Sequence, residues 1–210
     1  MSLVDALTEP GTPDSGDTPI SERGPAPLPI VVAFGFWLFL LSDIVLFSAL
    51  FAAYAVLSGQ TAGGPAGPQL FNRTNVLIET GCLLTSSFTC GLFTLAVEAR
   101  HRLATYLWAA VTFALGVAFL AFEVTEFGRM VAGGAGPTRS AFLSAFFTLV
   151  GTHGLHVTVG LAWLATMIAQ VATLGFRPMV VRRLLCFSLF WHALDIVWIG
   201  VFTIVYLGAH

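Results

Sequence analysis

The sequence predicts an all-α membrane protein, a bundle of five transmembrane helices. The 210 residues are 57% hydrophobic and only 10% charged, where soluble domains carry about 25% charged residues. A surface this poor in charge cannot be solvated by water, so lipid must do it. Mean hydropathy is +0.87, and the apolar residues gather into five runs, each near or above the ~20 residues a helix needs to cross the hydrocarbon core.

The runs are Val31–Leu57, Val76–Val97, Leu103–Phe127, Ala141–Leu174 and Leu184–Leu207. Helix-breaking residues separate them. Ser58–Asn75 carries Gly59, Gly63, Gly64, Pro65, Gly67 and Pro68, and Glu98–Arg102 is a short charged turn. Gly128–Ser140 contains Gly133, Gly134, Gly136 and Pro137, and Gly175–Arg183 contains Pro178 and three arginines. The fourth run exceeds a simple span, so it is expected to tilt or extend past the bilayer.

Residues 1–30 differ from the rest. Asp5, Glu9, Asp14, Asp17 and Glu22 stand against one cation, Arg23, among scattered prolines. The segment lacks the basic start and apolar run of a signal peptide and reads as a disordered, solvated tail. Residues 31–210 read as a single membrane domain. With the tail cytoplasmic, that side holds Arg23, Arg100, Arg102, Arg177, Arg182 and Arg183, and the other holds Arg73, Arg129 and Arg139. The bias places the N-terminus inside and the C-terminus in the periplasm. Tyr54 and Tyr206 near outer ends, with Tyr106 and Trp108 near an inner end, suit interfacial belts, whereas Trp163 lies deep. The formal net charge of −2 gives no sign of a nucleic-acid partner.

Cys82 and Cys90 lie ~12 Å apart along one helix, too far to bridge, and Cys186 stands alone. Eight ionisable residues fall inside the spans: Asp43, Glu79, Glu123, Glu126, His153, His156, His192 and Asp195. An acid at mid-membrane costs about 2.5–3.5 kcal/mol on insertion scales, so these groups must face protein or water. Glu123 and Glu126 share one helix face, with Glu79 near the same end, and Arg129 and Arg139 are their natural partners. An outer ion-pair cluster of Glu126, Arg129 and Arg139 is expected. Asp43 falls at the depth of His192 and Asp195, so it can contact either. His153 and His156 share a face of the fourth helix, where Gly151 and Gly154 allow close backbone approach.

Each group has two readings. His153, His156, His192 and Asp195 could supply four metal ligands or hydrogen-bond between helices to fix packing, and the second is favoured. Asp43 could relay protons or pack as a paired group. The stripe Trp191, Asp195, Trp198 and Phe202 recurs at helical spacing and suits a helix–helix face better than a cofactor box. No catalytic, cofactor-binding or metal residues are assigned.

Three segments carry a resemblance. Phe34–Leu57 (FGFWLFLLSDIVLFSALFAAYAVL), Arg139–Gly160 (RSAFLSAFFTLVGTHGLHVTVG) and Ser188–Leu207 (SLFWHALDIVWIGVFTIVYL), with TAGG at Thr61–Gly64 and GPTRS at Gly136–Ser140, resemble subunit III of haem–copper terminal oxidases, closest to the bo-type ubiquinol oxidase form. The likeness runs in order through residues 31–207. It implies a non-catalytic subunit of a proton-pumping respiratory complex of the bacterial inner membrane, which reduces O2 with electrons from ubiquinol. It also implies no haem or copper in this chain, those being expected in subunit I. Subunit I would be the main contact, subunits II and IV would share the complex, phospholipid would be bound, and proton uptake would be sustained. Asp43 matches a family carboxyl that is often Glu. Glu126, His153, His156, His192 and Asp195 also match family positions, while Glu79 and Glu123 look particular to the quinol-oxidase branch. The alternatives are an accessory membrane subunit of a nitric oxide reductase and a stand-alone proton or ion carrier.

Overall fold

A computed structural model describes residues 28–63 and 73–208. The acidic tail, most of the glycine-rich loop after the first span, and the side chain of Arg73 lie outside the described residues. The described chain is helical: α1 (Leu28–Leu57), α2 (Arg73–Glu98), α3 (Arg102–Ala132), α4 (Ala141–Leu174) and α5 (Pro178–Val201), the last continued by a π-helical turn, Phe202–Leu207. All five are long and apolar enough to cross a membrane.

The helix ends follow from local chemistry. The α2–α3 connection is a three-residue turn. Arg100 takes a left-handed φ of 53°, and the His101 side chain accepts a 3.2 Å hydrogen bond from the Ala104 amide, satisfying one of the free donors at a helix start. Ser140 caps α4 by accepting from the Leu143 amide at 3.2 Å. Gly175, at φ 68°, ends α4. α3 and α5 outrun their sequence limits furthest. α3 passes through Gly128 and stops only before Gly133 and Gly134, whose φ of 77° departs from the helix. α5 starts at Pro178 because proline at the first helical position loses no hydrogen bond. Arg182 and Arg183 are therefore helical, and Arg183 reaches across to Gln170 of α4 at 3.2 Å.

The chain divides into two compact units, Met1–Leu38 and Phe39–His210. Of the first, only the opening turns of α1 are described. In the second, α2 and α3 form an antiparallel hairpin, and α5 packs against both α2 and α4. The seam is built on small residues. Trp191 of α5 lies against Gly116 of α3 and Gly160 of α4, where an added Cβ would stand 3.1 Å and 2.9 Å from the indole. Such absences of side chain let membrane helices approach closely. The Trp191 indole N–H donates to Ser86 of α2 at 3.0 Å, and that of Trp198 donates to Thr80 at 3.1 Å. The aromatic stripe on α5 is thus a helix–helix face.

Tyr54 and Tyr206 do not form a surface belt. Both are buried, Tyr54 against Phe142 and Tyr206 against Phe146 and Trp198. Their rings fill gaps between helices that the position near a helix end did not reveal.

Candidate functional site

Three sets of polar side chains sit at different places in the second unit. The first pairs α1 with α4. His156 Nδ1 donates to the Thr152 carbonyl at 2.8 Å, one turn back. That leaves Nε2 facing Asp43 Oδ1 at 3.7 Å, with the side chains 19% and 18% exposed. Asp43 therefore meets His156, not His192 or Asp195. Depth along a helix was readable from the sequence, but the direction in which α1 faces was not.

His153, one turn from His156, has no exposure and no hydrogen-bond partner for either ring nitrogen. It is held as a flat ring, edge-on to Phe119 at 5.7 Å and tilted over Trp198 at 5.2 Å. Phe47 of α1 touches both histidines, at 6.3 Å and 5.2 Å.

The second set lies between α2 and α5. Ser87 Oγ and His192 Nδ1 share a 2.7 Å hydrogen bond, and Asp195 interacts with the same serine and histidine. Nearby Ser86, Thr89 and Thr112 are joined by hydrogen bonds of 3.4 Å (Ser86 to the Thr112 carbonyl) and 2.9 Å (between the two threonine hydroxyls). The four residues that could have formed a metal site are thus split between two seams and do not converge. Among the described residues, no three His, Cys, Asp or Glu side chains stand close enough to hold a metal ion.

The third set lies toward the opposite end of α3 from Arg102. Glu79, Glu123 and Glu126 are buried, at 1%, 5% and 6% exposure; they interact electrostatically with one another, and Glu79 and Glu126 also with Arg129. Glu123 Oε2 lacks a hydrogen-bond partner, while the Glu79 and Glu126 carboxyls lie within reach of each other. Gly154 of α4 makes room for Glu123: a Cβ there would stand 2.6 Å from its Oε1. Gly151 has only ordinary contact, with Phe127 at 3.7 Å. Arg129 donates to the Asn75 side-chain oxygen at 2.8 and 3.3 Å, with that amide oriented to receive it. Arg139 is exposed in the α3–α4 turn, and no described carboxylate lies within ion-pair distance of it. Glu79, Glu123, Glu126 and Arg129 share this end of the bundle, but among the described residues none of the three carboxylates lies within ion-pair distance of Arg129, and Arg139 sits further on, in the turn after Gly134. Sequence reasoning missed Ser86, Ser87, Thr80 and Asn75. Each is an ordinary polar residue whose role appears only once a second helix is placed beside it.

A family model for cytochrome c oxidase subunit III matches residues 26–210. The chain belongs to the cytochrome c oxidase subunit III family. Subunit 3 of the cytochrome bo(3) ubiquinol oxidase of Pseudomonas aeruginosa is 53% identical over 174 residues, 83% of each chain. Quinol oxidase subunit 3 of Bacillus subtilis is 44% identical over 173 residues, 82% of this chain and 85% of its own. Cytochrome c oxidase subunit 3 of Bacillus sp. (strain PS3) is 43% identical over 179 residues, 82% and 84%. In this member of the family, Asp43 meets His156 between α1 and α4, and His192 meets Ser87 between α5 and α2.

Proposed function

We propose that this chain is the non-catalytic subunit III of a bo-type ubiquinol oxidase, embedded in the bacterial inner membrane beside subunit I, with subunits II and IV in the same complex. The observation that carries the reading is the 53% identity over 83% of each chain with a bo(3) ubiquinol oxidase subunit 3. The internal chemistry supports it. Asp43 meets His156 and His192 meets Ser87 across helix seams, contacts that suit a supporting subunit. On this reading haem and copper belong to subunit I, phospholipid binds along the helices, and the N-terminus is cytoplasmic by the arginine bias. The names of the relatives favour an oxidase over a nitric oxide reductase accessory chain or a stand-alone proton carrier.

Affinity purification through a tag on this chain tests the proposal. A haem-bearing larger chain is expected to come with it. A preparation free of haem and of that partner would end the oxidase reading.

A further inference from the structure

The seam between α2 and α5 carries a polar spot at mid-membrane. Ser87 lies about halfway along α2, and His192 about halfway along the apolar span Pro178–Leu207. Ser87 Oγ and His192 Nδ1 meet at 2.7 Å, and both side chains are half-buried. The other ring nitrogen, His192 Nε2, has no hydrogen-bond partner among the described residues, and Asp195 interacts with the ring only from beyond ion-pair distance. Unlike the nitrogens of His153, Nε2 is not sealed in the core. Around it the surface is apolar: Leu84 and Phe88 of α2 and Leu189 and Ile196 of α5 are exposed. One turn beyond Ser87, on the same helix face, Gly91 borders open space, where a Cβ would meet nothing within 4 Å.

Hydrocarbon tails offer no hydrogen bond to such a nitrogen, and polar groups at this depth face protein. Nε2 presents an N–H when Ser87 donates to Nδ1, and a lone pair when Ser87 accepts. A hydroxyl satisfies either. The small residues Ser87 and Gly91, four apart, let a second helix come close enough to deliver one. We propose that Ser87 and His192 form a docking point for a transmembrane helix of a partner subunit, which sets a hydroxyl-bearing side chain against His192 Nε2. The apolar side chains around the spot pack against the rest of that helix. A second copy of this chain fits less well, because a two-fold contact opposes this face to itself, and the hydroxyl at its centre, Ser87, is already bonded to His192. The inference rests on the oxidase reading above and adds to it one face and one contact.

Photocrosslinking within the complex purified through this chain tests it. Ile196→p-benzoylphenylalanine puts a photoreactive ring one turn from His192 on the exposed side and leaves the hydrogen-bonded pair intact. Mass spectrometry of the adduct is expected to find a transmembrane segment of another chain of the haem-bearing complex. An adduct with a second copy of this chain, or no protein adduct, overturns the proposal. His192→Leu should raise the dissociation constant of this chain from the complex about threefold, the weight of one hydrogen bond between membrane helices. His192→Gln, whose amide keeps a donor and an acceptor, should stay near the native value. Equal affinity of the native chain and His192→Leu also overturns the proposal. Haem content separates the two failures. A haem-free preparation ends the oxidase reading and the docking point with it, whereas a haem-bearing complex without the adduct ends the docking point alone.

Discussion

His153 is a polar residue used as an aromatic plate. Its ring nitrogens have no partner, and its neighbours Phe119, Trp198 and Phe47 meet it by edge or face. His153→Ala should leave a cavity and cost about 2–5 kcal/mol, as large-to-small core changes do, seen as a lower unfolding temperature in detergent. Copper and iron content should be unchanged, and stoichiometric loss of either metal would revive the ligand reading. Asp43 is different, because its pair with His156 is partly open, at 18% and 19% exposure. Asp43→Ala should leave initial oxidase turnover largely intact while weakening association or shortening the working lifetime. Loss of most turnover at once, in a fully assembled complex, would contradict this. The sequence identified both residues as enclosed polar groups but gave Asp43 the wrong expected partner. Spacing along one helix fixes depth and relative face, whereas pairing depends on how two helices are rotated against each other.

The α3–α4–α5 seam turns on Trp191, wedged between Gly116 and Gly160 and tied to Ser86 by its indole N–H. The ring has little freedom to yield, since the hydrogen bond fixes one edge. A methyl at Gly160 would stand 2.9 Å from the indole and 3.2 Å from Phe190. Gly160→Ala should therefore destabilise by about 1–3 kcal/mol through overpacking, measured by thermal unfolding of the detergent-solubilised protein. Gly151→Ala, with only Phe127 at 3.7 Å, should be far milder, and equal losses from the two would contradict the packing argument. The histidine–glycine pattern marks α4 as a close-packed helix from the sequence alone. It could not say that Gly154 accommodates a carboxylate or that Gly160 accommodates an indole, because those neighbours come from other helices. The helix ends differ from the expected ones where glycine and proline do not break the helix. Gly128 lies within α3, and Pro178 opens α5.

At the scale of the whole protein, five spans were legible because solvation by lipid leaves a compositional signature that does not depend on packing. The topology prediction belongs here: a reporter placed in the turn at Arg177 should be protected outside the cell, and one at the C-terminus should be accessible there. The reverse pattern would contradict the arginine bias. The central claim is that this chain supports an oxidase without holding its redox centres. Removing the chain from the purified complex with detergent, then recording haem absorption and ubiquinol-driven O2 consumption, tests that claim most directly. The account predicts unchanged haem bands and a preserved initial rate, with activity decaying sooner over repeated turnover. A haem band that leaves with this chain would contradict it.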